Sequence, residues 1–275
     1  MTAVLLAAAS AALFGGMTVG IRLGLRGLED VRGAAVATVA VAFVVSAIAF
    51  AFHPGLRGAW PFLVAGAFAP GGSQVLFTLA VKEVGASRTS VLVGAAPLVA
   101  VAIALVFLDE PLRTPLVVGA VAIVTGGVLL AVERDRPEHL RPLGLLYAAL
   151  ATVLFATRDN VARALHTHTT AGTATAATLL AGTIVAGAWA RRAPTRQELT
   201  KLAPAGICFG LSYVCLFEAY FRSRVSVVSP LVATESLWGV VLSALLIRHT
   251  EGVGRRLALG ALLVVAGGAL IGATR

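Results

Sequence analysis

The chain has 275 residues, 58% of them apolar and 13% charged, whereas a soluble globular protein carries about 45–50% and about 25%. A water-soluble fold of this length cannot hide so much apolar surface, so lipid is the solvent for much of it, and the high hydropathy excludes disorder. The net charge of +9 is dispersed between apolar runs and forms no basic stripe with interleaved aromatics, which points to lipid headgroups and topology signals and excludes nucleic acid.

Segments free of Asp, Glu, Lys, Arg and His follow one another along the chain at 1–21, 33–52, 58–81, 89–108 and 114–132, then at 142–157, 169–190, 202–217, 225–234 with 236–247, and 257–274. A spanning helix needs about 17–25 mainly apolar residues. Seven segments satisfy this outright and 257–274 is just long enough, while those beginning at 142 and 202 reach spanning length only by taking Arg158, Asp159 and Glu218 into the membrane. Glu235 interrupts the ninth span near its middle. The expectation is an all-α integral membrane protein with ten transmembrane helices.

The first segment lacks a basic n-region and a small-residue cleavage site, so it reads as a retained helix and not as a signal peptide. The longest links are 133–141 and 191–201, and neither has room for a soluble domain. Trp60 opens the third span and Trp189 closes the seventh, as interfacial aromatics do; Trp238 lies inside the ninth and needs a packing partner or a cavity. Cys208 and Cys215 fall on one helical face two turns apart, too distant to bridge, and read as small packing residues.

The halves repeat. An offset of 141 places Leu13-Phe14 on Leu154-Phe155, Arg22 on Arg163, Glu110 on Glu251, Gly119 on Gly260 and Gly126-Gly127 on Gly267-Gly268. An offset of 139 pairs Gln74 with Tyr213, Ala80 with Ala219, Ser90 with Ser229 and Leu92 with Leu231. Two five-helix repeats are expected, 1–135 and 142–275. Because five is odd, the second enters the bilayer from the opposite face, the arrangement of alternating-access carriers with a site near the midplane. Small-residue stripes at Gly119, Ala122 and Gly126 and at Gly260 and Gly267 suit close helix contacts.

The run Val106-Phe107-Leu108-Asp109-Glu110-Pro111, with Gly119 and Gly126-Gly127 behind it, resembles the fourth-to-fifth helix signature of EamA-type transporters of the drug/metabolite transporter superfamily. Glu251, Gly260 and Gly267-Gly268 resemble the same signature in the second repeat. Leu13-Phe14-Gly15 with Arg22 is similar to the opening helix, though the family more often has Trp where Phe14 stands, and Thr234-Glu235-Ser236 is similar to a ninth-helix Glu-Pro variant with Ser236 in place of proline. The resemblance implies ten helices in two inverted repeats around a central cavity, in a multi-pass protein of the cell (plasma or inner) membrane. It also implies export or exchange of small metabolites, often amino acids, with sugar, nucleotide-sugar or sugar-phosphate carriers in related branches. It suggests cytoplasmic termini. The charges suggest the reverse: the odd-numbered links carry 15 Lys and Arg against 6 on the other side, which places the termini outside by the positive-inside rule.

Arg158, Asp159, Glu218 and Glu235 are the charges inside spans. Each costs about 2.5–3.5 kcal/mol at the bilayer centre, so each is expected to face a cavity or a partner. At 1.5 Å per residue, Glu218 lies roughly 5 Å, Arg158 roughly 9 Å and Glu235 roughly 15 Å below one face. Arg158 either pairs with Asp159, Glu218 or Glu235 and holds a wall together, or receives a substrate carboxylate or phosphate. In the second case Glu235 binds an ammonium group or carries a coupling proton. Gln74 and Tyr213, and Asn160 and Thr157 beside the charged pair, suit a cavity lining, while Pro97 and Pro230 loosen the fourth and ninth helices.

The five histidines, His53, His139, His166, His168 and His249, fall in links, and no hydrolase, nucleotide-binding or zinc-protease motif is present. No enzyme, metal or cofactor is expected. The expected activity is carriage of a small zwitterionic or anionic metabolite, with Glu235 and Arg158 as recognition residues and Asp159, Glu218, Gln74 and Tyr213 in support. A sugar or sugar-phosphate carrier, and a channel or structural membrane protein, are the rival readings. Monomer and homodimer are both open.

Overall fold

A computed structural model of the chain describes residues 2–28, 30–52, 55–93, 96–108, 114–131 and 142–246, and beyond them 259, 260, 262, 263, 266, 267 and 270. Every regular element among the described residues is helical. Lipid offers the backbone no hydrogen bonds, so a helix is the form in which each such segment satisfies its own N–H and C=O groups.

The first half contains α1 (Thr2–Gly24), α2 (Val31–Phe52), α3 (Trp60–Gly66), a π-helical turn (Ala67–Gly72), α4 (Ser73–Val84), α5 (Ala86–Val93), α6 (Ala96–Phe107) and α7 (Thr114–Ala131). The second contains α8 (Pro142–Ala164), α9 (Ala171–Ala190), α10 (Arg196–Arg222), α11 (Val225–Val232) and α12 (Glu235–Leu246). Six stretches are long and apolar enough to cross a membrane: α1, α2, Trp60–Val84, α9, α10 and Val225–Leu246. The count of ten is not reached among the described residues. Helix α8 has the length but carries Arg158, Asp159 and Arg163 in its last two turns, and the tenth span is described only at scattered positions. Asp109, Glu110, Pro111, Glu251, Gly268, the link 133–141, His53, His139 and His249 lie outside the described residues.

Two spans are broken where a single helix was expected or only loosened. In the third, Ala69 leaves the helical region (φ −139°, ψ 107°) and the Ala69–Pro70 peptide is cis. Pro70 has no N–H to donate and two glycines follow it, so Pro-Gly-Gly was the cue in the sequence. In the ninth, α11 contains Pro230 and ends at Val232; a turn at Ala233 and Thr234 precedes α12.

Lipid tails give apolar helices no reason to prefer one another over solvent, so the helices approach through small residues. Gly16, Gly20 and Gly24 lie one turn apart on α1 and meet Cys208, Ala205, and the Lys201 carbonyl and Leu202 side chain of α10. On its other side α10 presents Gly206 and Gly210 to Val41, Ala42 and Val45 of α2. Ser10 and Ser212 join hydroxyls at 2.9 Å across α1 and α10, and Ser212 also donates to the Ser10 carbonyl at 2.9 Å. The two expected stripes do meet: Gly267 sits against the Gly119 carbonyl and Ile123 of α7. Trp238 turns outward with its Cβ beside Gly15.

Contacts recur in pairs. Helix α1 packs on α10, as α8 packs on α4; α1 packs on α11 and α12, as α8 packs on α5 and α6; α2 packs on α10, as α9 packs on α3 and the π turn. Arg22 donates to the Val81 carbonyl at 3.5 Å, and Arg163 donates to the Tyr220 carbonyl at 3.2 Å. Donor matches donor at offset 141 and acceptor matches acceptor at offset 139.

One ion cluster ties the link before α2 to the start of α10. Arg192 donates to Asp30 at 2.7 Å and 3.0 Å and to Glu198 at 2.5 Å and 2.9 Å. Glu198 completes a capping box with Thr195, and Gly33 leaves the room that Glu198 and Arg192 fill. Partial burial pushes the Asp30 carboxyl up, but hydrogen bonds from Arg192 and the Arg32 backbone, with both charges, outweigh it and hold it below its ordinary value of 3.8.

Two outcomes are expected. A Cβ at Gly210 would fall 2.7 Å from the Ala42 carbonyl oxygen, so Gly210→Leu should overpack the α2–α10 contact and cost about 1–3 kcal/mol in a thermal melt of the purified protein. Asp30→Asn should cost about 0.2–1 kcal/mol at neutral pH, because the pair is partly exposed. A depressed folded-state pKa means that this contribution is fully present above the ordinary value of 3.8 and is lost as pH falls below it, so parent and variant melts should converge there.

Candidate functional site

A narrow, partly open cavity with about 450 Å³ of empty volume, its mouth included, lies among α1, α4, α5, α6, α8 and the broken ninth span. The charged part of its wall is Arg158, Asp159 and Glu235, with Ser229 beside them. Facing them are Phe14, Met17 and Thr18 of α1, Phe77 of α4, Val93 of α5 and Ala96 of α6; Phe155, Val232 and Ala233 complete the lining.

Arg158 is 5% exposed and Asp159 4%. A charge taken that far from water needs its partners in place. Arg158 donates through Nε at 2.9 Å and Nη2 at 2.5 Å to Asp159 Oδ1, and through Nη1 at 2.6 Å to the Tyr213 hydroxyl. Its guanidinium lies 4.8 Å from the Tyr213 ring centroid and 5.2 Å from that of Phe155, a cation–π arrangement. Tyr213 is held in turn by Phe209 edge-on at 4.6 Å, by Phe217 stacked at 5.7 Å and by Phe14 at 5.9 Å. The Tyr220 hydroxyl is buried within electrostatic reach of Asp159 and makes no hydrogen bond of good geometry.

Glu235 stands apart. It opens α12, where a negative charge is favoured by the helix dipole, and its carboxylate accepts no hydrogen bond from any described residue. The partner of Arg158, left open among three carboxylates by the sequence, is therefore Asp159. Glu218 is not on the cavity wall; it pairs with Arg222 one turn along α10. Thr157 and Asn160, expected to line the cavity, do not. Thr157 is exposed and bonds within its own helix, and Asn160 donates to the Ala100 carbonyl at 3.0 Å and ties α8 to α6.

Gln74 is fully buried on α4 but off the cavity wall, and neither its amide oxygen nor its nitrogen has a partner among the described residues; Ser73 Oγ is in the same position. The repeat offsets explain both. Ser73 and Gln74 match Ser212 and Tyr213, whose partners are Ser10 and Arg158; the positions matching those partners hold Ala151 and Met17. In each case the polar group stands in the first half and the position matching its counterpart's partner is apolar.

The apolar wall went unread in the sequence because apolar residues are everywhere in this chain. Offset 141 pairs Phe14 with Phe155, Met17 with Arg158 and Thr18 with Asp159, and offset 139 pairs Val93 with Val232 and Ala96 with Glu235. Ten of the lining positions are thus five matched pairs, and that pairing was a signal that could have found them. No group of three His, Cys, Asp or Glu able to hold a metal occurs among the described residues. Cys208 and Cys215 are free.

Tyr213→Phe should leave a buried guanidinium donor unpaired and cost about 1–3 kcal/mol of stability. Glu235→Gln breaks no bond to a described residue and should leave the melting temperature at or above the parent value.

The sequence matches the EamA-like transporter family over residues 1–132 and 142–273. One solved crystal structure resembles the fold with a TM-score of 0.79 at 20% sequence identity, over 99% of this chain and 96% of that one. No curated protein matches. The family match covers nearly all of the chain, and the chain belongs to the EamA-like transporter family, a family of multi-pass membrane transporters of small solutes.

Proposed function

We propose that this EamA-like transporter is a carrier of the cell membrane that exports or exchanges a small metabolite by alternating access. In this reading ten spans form two inverted five-helix repeats, 1–135 and 142–275, and the solute is held in the cavity between them. One observation carries the proposal: the cavity is walled by matched positions from both halves, at Phe14 and Phe155, Met17 and Arg158, Thr18 and Asp159, Val93 and Val232, and Ala96 and Glu235. A site shared by two similar halves is opened to one face or the other by rocking one half against its mate. The paired Arg22–Val81 and Arg163–Tyr220 contacts and the two-part family match support the same division.

The roles divide by bonding. Three N–H groups of Arg158 are committed to Asp159 and Tyr213, so this trio keeps the wall in shape. Glu235 is the group free to meet solute or a coupling proton. The break beside the cavity, at Ala233–Thr234, gives the ninth span a place to bend.

Counterflow in proteoliposomes tests this, with amino acids, sugars, organic acids and amines inside and labelled counterparts outside. Saturable exchange of one class is the expected result. Simultaneous leak of every solute would make the protein a pore and overturn the proposal. Glu235→Gln should slow exchange by about tenfold or more, equivalent to about 1.4 kcal/mol, with folding intact; unchanged kinetics at every pH would remove Glu235 from the site.

A further inference from the structure

Building on the carrier reading above, we infer that the solute is an organic cation with an apolar body, its positive charge held by Glu235 and its body by the wall that the first half contributes. The charge balance of the cavity leads there. Among the described residues the lining carries one positive group, Arg158, and two negative ones, Asp159 and Glu235. Arg158 and Asp159 neutralise each other through two direct hydrogen bonds. What is left facing the space among the described residues is the Glu235 carboxyl, and an ionisable group at this depth without a fixed partner calls for a mobile counter-charge or a proton.

The matched positions say where the rest of the solute lies. Opposite Arg158, Asp159 and Glu235 the other half has Met17, Thr18 and Ala96. The charged groups of the described wall therefore all come from the second half, while the first half contributes apolar surface at Met17, Val93 and Ala96 and aromatic surface at Phe14 and Phe77. A cation near such rings gains further attraction. Other solute classes meet worse surroundings. An anion would face Glu235 with Arg158 already taken. Among the described lining residues a sugar would find two hydroxyls, Thr18 and Ser229, and the Glu235 carboxyl, with most of its many hydroxyls facing hydrocarbon. A zwitterion would have for its carboxylate only the two N–H groups that Arg158 does not give to Asp159 and Tyr213.

The test uses labelled phenethyltrimethylammonium, which is permanently charged and cannot cross the bilayer as a neutral form. Binding is measured on the full-length protein in detergent and counterflow in proteoliposomes. Saturable binding is expected, displaced by the unlabelled compound, but not by equal concentrations of tetramethylammonium, which lacks the body, or 3-phenylpropionate, which has the wrong charge. Glu235→Gln should weaken binding by about tenfold or more, while Glu235→Asp, which keeps the charge, should retain it. Competition on the unmutated protein needs no variant to fold. Displacement by 3-phenylpropionate, or binding untouched by Glu235→Gln, overturns the inference. Absence of binding while another member of the counterflow panel exchanges overturns the cation class and leaves the carrier reading standing. Binding without any counterflow upholds the site and overturns the carrier reading.

Discussion

A guanidinium cannot enter a hydrocarbon environment without bringing its counter-charge, and this requirement organises the centre of the molecule. Arg158 sits on α8 with Asp159 as its neighbour in the chain, and the pair is completed by Tyr213 from α10. Tyr213 can serve only because Phe209, Phe217 and Phe14 fix its ring. Those rings come from α10 and α1, so the packing of these two helices and the position of the ion pair are one problem. The reward is a cavity in which one carboxylate, Glu235, is left over.

The scaffold solves a different difficulty. Apolar helices in lipid gain little by touching, and closeness has to come from missing side chains. The glycine rows on α1 and α10 let α1, α10 and α2 pack backbone to backbone, and the Ser10–Ser212 bonds add direction to a contact that shape alone would leave free to slide. Tight, glycine-lined contacts between α10 and its neighbours and one broken helix beside the cavity place rigidity and adjustability where a moving solute would need each.

Duplication followed by divergence leaves visible residue. Where the second half placed Arg158 against Tyr213, the first half has Met17 and a Gln74 with nothing to bond; where α1 and α10 share Ser10 and Ser212, α8 and α4 have Ala151 and an orphaned Ser73. Buried polar groups without partners are rare. Here they mark positions at which the two halves are chemically unlike, and the same unlikeness on the described cavity wall leaves its charged groups in the second half alone.

The sequence by itself determined the solvent of the chain, the limits of most helices and the twofold repetition, because length, hydropathy and offset are properties of order along the chain. It also singled out the buried charges, since an ionised side chain in an apolar run is conspicuous wherever it folds. It did not choose the partner of Arg158. Neighbouring residues on a helix do not normally face each other, and only the curl of a long side chain, pinned by Tyr213 from another helix, makes Asp159 the one. Nor did it show that Glu218 turns to Arg222, that Thr157 faces outward, or which of many apolar residues line the cavity. Those are decided by which helices touch and at what height, a matter of three-dimensional packing in which every apolar side chain looks alike until its neighbours are in place.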